Sequence, residues 1–78
     1  MLTHRQERIL CAVVDEYLRS GQPVPSRSIA ADPDLNCAPS TVRSELALLE
    51  EQGLLAHPHV SAGRVPTDAG QQAIERPL

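Results

Sequence analysis

Three apolar patterns of helical period, a tight turn between the second and third, and a Gly- and Pro-containing stretch flanked by short apolar runs together predict the fold. They specify a mainly α domain with a small β-hairpin: a winged helix-turn-helix of three helices, a two-stranded wing and a short C-terminal helix. The 78 residues suffice for one domain, 1–78. Tyr17 is the sole aromatic residue, so the core must be built from Leu, Ile, Val and Ala, which suits packed helices.

The first helix opens at Thr3, with Gln6 three residues later completing a capping box. Leu10, Val13, Val14, Tyr17 and Leu18 recur at helical spacing, and Ser20-Gly21 ends the helix through a left-handed glycine. Pro23-Val24-Pro25 must be extended, because proline fixes its own φ and restrains the residue before it. Ser26 is the expected N-cap of the second helix, whose apolar content is Ile29, Ala30 and Ala31 before Asp32-Pro33 stops it. Asp34 to Ala38 reads as a turn with Leu35 pointing inward.

The third helix starts near Pro39, a residue suited to the first helical position, and buries Val42, Leu46 and Leu49. Leu48 lies about 120° off that stripe and is expected to be half covered. Gly53 ends the helix. Leu54 to Ala56 then reads as a strand, Ser61-Ala62-Gly63 as its turn and Arg64-Val65 as the return. Thr67 caps a last helix from Asp68 to about Glu75, interrupted by Gly70, with only Ala69, Ala73 and Ile74 apolar.

Composition narrows the function. The formal charge is −3, which argues mildly against nucleic acid, although the placement of the arginines matters more than their sum. Cys11 and Cys37 lie far apart, and two thiols in an otherwise helical small domain make no disulfide framework, so the sequence fits a reducing cytosol. No apolar run approaches membrane-spanning length, and the start, MLTHRQER, turns polar at once, unlike a signal peptide. His57 and His59 with the two cysteines match no common metal spacing, so no metal or other cofactor is expected. No nucleophile sits beside a plausible base, which excludes an enzyme from the expectation.

The candidate site lies on the third helix. The face opposite its buried stripe holds Ser40, Arg43, Ser44 and Ala47. In a helix-turn-helix this face meets the major groove of double-stranded DNA. Arg43 can fork onto the O6 and N7 of a guanine, Ser44 can donate or accept, and Ala47 can lie against a thymine methyl. Ser40 and Thr41, with the open N–H groups of the helix start, can hold a phosphate. Arg27, at the start of the second helix, and Arg64, on the wing, add charge from two other elements. His59 is a further candidate phosphate contact. Asp15, Glu16, Glu50, Glu51 and Glu75 compose an acidic body away from this face, with Glu45 the awkward neighbour of Arg43.

Four stretches, LTHRQERIL, GQPVPSRSIA, APSTVRSELALLEEQGLL and PHVSAGRVPTDAG, cover nearly the whole chain and resemble the N-terminal DNA-binding domain of the HrcA heat-inducible transcription repressors. The last stretch is the most specific, since a generic winged helix has no reason to carry SAGR-x-PT-D. The resemblance implies a cytoplasmic dimeric repressor on an inverted-repeat operator upstream of chaperonin and heat-shock operons, with a chaperonin helping to keep it active. It assigns Ser40, Thr41, Arg43 and Ser44 to the recognition helix, Ser61, Gly63 and Arg64 to the wing, and Arg27 to the basic start of the second helix. Ala38 departs from the serine usual as N-cap, and Val60 replaces a polar wing residue. The competing expectation is a winged helix that binds another protein, favoured by the net negative charge and by Leu48. One positive face uniting Arg27, Arg43 and Arg64, unbroken by Glu45 or Asp34, separates the two.

Overall fold

The computed structural model describes residues 2–59 and 63–74. The chain runs α1 (His4–Ser20), α2 (Ser26–Ala30), α3 (Pro39–Glu51), β1 (Leu55–Ala56), β2 (Val65–Pro66) and α4 (Asp68–Ala73). The winged helix-turn-helix is therefore present, with the wing following directly on α3.

Both ends of α1 obey local chemistry. The Thr3 hydroxyl accepts from the Gln6 N–H, and the Gln6 side chain accepts from the Thr3 N–H, each at 3.1 Å. Gly21 adopts a left-handed φ of 70° and donates its N–H to the Tyr17 carbonyl. The buried arc is Gln6, Ile9, Leu10, Val13 and Val14. Leu18, expected within it, is 68% exposed. It stands about 100° from the centre of the arc, in the last turn, and so falls at the rim of the core.

Pro25, rather than Ser26, flanks α2 as its N-cap, at φ −73° and ψ 150°. The ring already holds the extended φ that a cap requires, and Ser26 becomes the first helical residue. Ile29 is buried, whereas Ala31 is exposed beyond the last turn. The Asp32 carboxylate accepts the Asp34 N–H at 2.9 Å, and Asn36 takes φ 51°, so the turn reverses within a few residues. Leu35 packs against the core from this turn. Pro39 is the first residue of α3, and Val42, Leu46 and Leu49 are its buried stripe. Leu48 is 43% exposed.

In the wing, Leu55 pairs with Pro66 and Ala56 with Val65. The return strand is one residue later than expected because Arg64 pairs elsewhere. Its N–H donates to the Val24 carbonyl at 2.9 Å, and its carbonyl accepts the Val24 N–H at 2.8 Å. In Pro23-Val24-Pro25 only Val24 has an N–H, so one bridge is all this extended segment can make. Val24 is itself fully buried. The entry to α2 thus forms an outer edge of the wing. Of the expected wing turn, Ser61 and Ala62 lie outside the described residues.

Thr67 caps α4, accepting from the Gly70 N–H at 3.0 Å and donating to the Gly53 carbonyl at 2.7 Å. The helix ends at Ala73, short of the expected Glu75, which lies outside the described residues. Ala69 and Ala73 are exposed, and Ile74 packs on the core. Gly70, expected as an interruption, is instead buried, and a Cβ there would lie 2.0 Å from the Leu54 carbonyl oxygen. Its bare Cα is what lets α4 seat on the start of the wing.

Gly70→Ala tests this seat, because intrinsic propensity and packing oppose each other. Alanine favours an exposed helix by about 1 kcal/mol. Overpacking against fixed backbone costs about 1–3 kcal/mol. The expected result is a net loss of stability in urea unfolding; a gain would show that α4 has room to move.

Candidate nucleic-acid interface

The HTH unit is a pair of packed helices. α2 lies directly on α3, with Ile29 and Val42 both in the core. Burying Val42, Leu46 and Leu49 turns Ser40, Arg43, Ser44 and Ala47 outward, and all four are exposed. Thr41, on the flank, is half buried, and Arg27 is exposed in the first turn of α2. Glu45 lies about 200° around the helix from Arg43. It leans toward α1, where its Oε1 is 3.5 Å from Gln6 Nε2. The α3 face is therefore free of the carboxylate that stands so close to Arg43 in sequence. Asp34 is held in the preceding turn by Asp32.

The start of α3 is uncapped by any side chain. Ala38 occupies the cap position, and Pro39 contributes no N–H. The next amides, those of Ser40 and Thr41, belong to the first turn, where a helix has no internal acceptor to offer.

The wing residues are fixed by contacts within the domain. A Cβ on Gly63 would lie 2.2 Å from both the carbonyl carbon and oxygen of Val24, and 2.5 Å from the Pro25 nitrogen. Gly63 is needed for this close approach of two backbones. Arg64 is mostly covered, its side chain 18% exposed, and its Nε donates to Glu50 Oε1 at 3.2 Å. That bond uses one of the five N–H donors of the guanidinium. His57 Nδ1 lies 4.0 Å from the same oxygen. Glu50 thus belongs to the site rather than to a separate acidic body. The signal is present in the sequence: Glu50 is seven residues after Arg43, within about 20° of it on the helix. His59 is exposed at the edge of the described wing, and Ser61 lies outside the described residues.

Ion pairing sorts the arginines. Arg19 is bound to Glu16 and Arg64 to Glu50. Among the described residues Arg5, Arg8, Arg27 and Arg43 have no carboxylate partner, so local positive charge survives on a chain of formal charge −3. Arg5 and Arg8 form no part of the expected site, because in sequence α1 belongs with the acidic body. Also among the described residues, no helix is long and apolar enough to cross a membrane.

The strut between Glu50 and Arg64 can be removed alone. Glu50→Gln should cost no more than about 1 kcal/mol, since the pair is partly solvated. Hydrogen exchange at the Val24 and Arg64 amides should accelerate more than at Val13, deep in α1. Uniform acceleration at all three would mean that Glu50 does not act on the wing in particular.

Comparison with known proteins agrees with this geometry. The family model described as winged helix-turn-helix transcription repressor, HrcA DNA-binding, matches residues 1–77. The heat-inducible transcription repressor HrcA of Halalkalibacterium halodurans is 54% identical over 70 residues, covering 90% of this chain and 20% of that protein. Its counterpart in Thermomicrobium roseum is 52% identical over 69 residues, with 88% and 20% covered. This chain therefore spans about a fifth of the length of such relatives. Among solved structures, a hypothetical protein determined at 2.2 Å superimposes with TM-score 0.88 at 34% identity, over 95% of this chain and 23% of that one. A hypothetical protein from Sulfolobus solfataricus gives TM-score 0.77 at 33% identity, over 94% and 53%.

Proposed function

Because the chain belongs to the HrcA family of winged helix-turn-helix DNA-binding domains of transcription repressors, we propose that α3 reads the major groove of an inverted-repeat operator through Arg43 and Ser44. Ser40, Thr41 and Arg27 hold phosphates, Ala47 packs against a thymine methyl, and the wing lies on the backbone or the adjacent groove. There Gly63, His59 and Ser61 approach the DNA while Arg64 turns the remainder of its guanidinium toward a phosphate. Repression follows from occupying a promoter. The observation that carries this reading is the outward face of α3: an arginine without an ion-pair partner among the described residues, flanked by two serines and an alanine, with Glu45 turned away to Gln6 and Glu50 bonded to Arg64.

The relatives' name, heat-inducible transcription repressor, supports heat-shock genes as the target and the cytoplasm as the place of action. A homodimer fits the same reading, because two copies on an inverted repeat each read one half-site. The heat response, and the link to a chaperonin implied by the resemblance, belong to the same proposal.

Leu48 does not favour the protein-interaction reading. It stands on α3 as a single exposed leucine, a normal feature of protein surfaces.

Arg43→Ala discriminates base reading from general attraction. It should cost about 1–3 kcal/mol on an operator duplex and much less on a scrambled one. Fluorescence anisotropy with the two labelled duplexes measures both. Equal losses would remove Arg43 as the base reader.

A further inference from the structure

We infer that the first two turns of α1 make a second contact with the DNA backbone, Arg5 and Arg8 each engaging a phosphodiester beside the groove read by α3. This inference rests on the DNA reading proposed above and extends its footprint to an element that reading leaves out.

The contact begins from a groove. His4, Arg5 and Arg8 form one wall, residues 34–37 form the other, and the open space between them is about 600 Å³. Arg8 lies one turn beyond both His4 (i, i+4) and Arg5 (i, i+3) on α1. Arg8 donates through Nη2 to the backbone carbonyl of Asp34. That bond fixes the guanidinium against the turn without cancelling its charge, as a carboxylate would. Arg5 is exposed and has no ion pair among the described residues. The sign of the groove changes along α1: its neighbour, about 330 Å³, adds Glu7, Asp15 and Asp32 to Arg8 and Asp34. His4, Arg8 and Asp34 line both spaces and Arg5 only the first, so an anion is directed to the Arg5 end.

That end sits beside the start of α3. Residues 34–37 lead straight into Ala38 and Pro39, the cap and first residue of α3. Gln6, between Arg5 and Arg8 in sequence, reaches Glu45 in the second turn of α3. The N-termini of the two helices thus lie at one end of the domain, and the partial positive charges of both helix starts add there. DNA that meets the start of α3 brings its flanking strand past Arg5 and Arg8. Arg5 and Arg8 stand on the first helix, outside the helix that enters the major groove, so the ligand is the phosphodiester, read without regard to sequence.

The test is the salt dependence of binding by the 78-residue chain to operator and scrambled duplexes. Removing a single phosphate interaction lowers the slope of log K against log salt by about 0.9. Arg5→Gln should remove about that much and weaken both duplexes by the same factor, with an unchanged circular dichroism spectrum. Arg19→Gln, at the opposite end of α1 and already bound to Glu16, should leave slope and affinity as in the parent chain. A parent-like slope in Arg5→Gln, with the parent binding in a salt-dependent way, overturns the α1 contact and spares the reading of α3. Weakening confined to the operator also overturns it, since Arg5 would then read bases. A parent chain that binds neither duplex overturns the DNA reading and this inference together.

Discussion

Everything that makes this chain a reader of a surface, rather than three helices with a loose tail, depends on one backbone pairing. Val24, held extended between two prolines, exchanges two hydrogen bonds with Arg64. The hairpin of β1 and β2 is only two residues deep on each side, too short to hold an orientation in water by itself. The Val24 bridge anchors it at a single extended residue, and that residue leads into α2. Gly63 makes the approach possible by presenting no Cβ to the Val24 carbonyl. The wing and the helix-turn-helix are therefore one body. Glu50 ties the same arginine to the last turn of α3, and Gly70 lets α4 close over Leu54 from the other side.

The placement of its carboxylates is how an acidic chain keeps local positive charge. Carboxylates take up part of the cationic charge: Glu50 against the mostly covered Arg64, Glu16 against the exposed Arg19. Glu45, a near neighbour of Arg43 in sequence, is turned to Gln6 by the helical period. The cationic groups without a carboxylate partner among the described residues then fall on α2, on the outer face of α3 and at the start of α1. A short charged patch of this kind acts within a Debye length, about 8 Å at physiological ionic strength, so the net charge of the molecule matters less than this placement.

Much of this is legible in the residues. Thr3 with Gln6, Gly21, Pro39 and Thr67 each announce a helix boundary through local chemistry, and local chemistry survives folding. The stripe of Val42, Leu46 and Leu49 places the outward face of α3 correctly for the same reason. What sequence does not reveal is pairing at a distance. Nothing local says that Arg64 will leave its hairpin partner for Val24, or that Glu50 will reach the wing. Gly63 and Gly70 look like turn and breaker residues until the backbone that crowds each one is known. Leu18 has the right spacing for the core but lies where the core ends. Ser26 has the right chemistry for a cap, and Pro25 takes the position before it.

In the proposed function α3 and the wing engage DNA as one rigid surface. The most direct measurement is a titration of the isotope-labelled chain with an operator duplex, followed amide by amide in two-dimensional NMR. The amides of Ser40, Thr41, Arg43, Ser44 and Ala47 should shift together with those of Val24, Gly63 and Arg64, saturating at one DNA concentration. Shifts confined to the wing, or centred on Leu18 and Leu48 with the outer face of α3 silent, would contradict it.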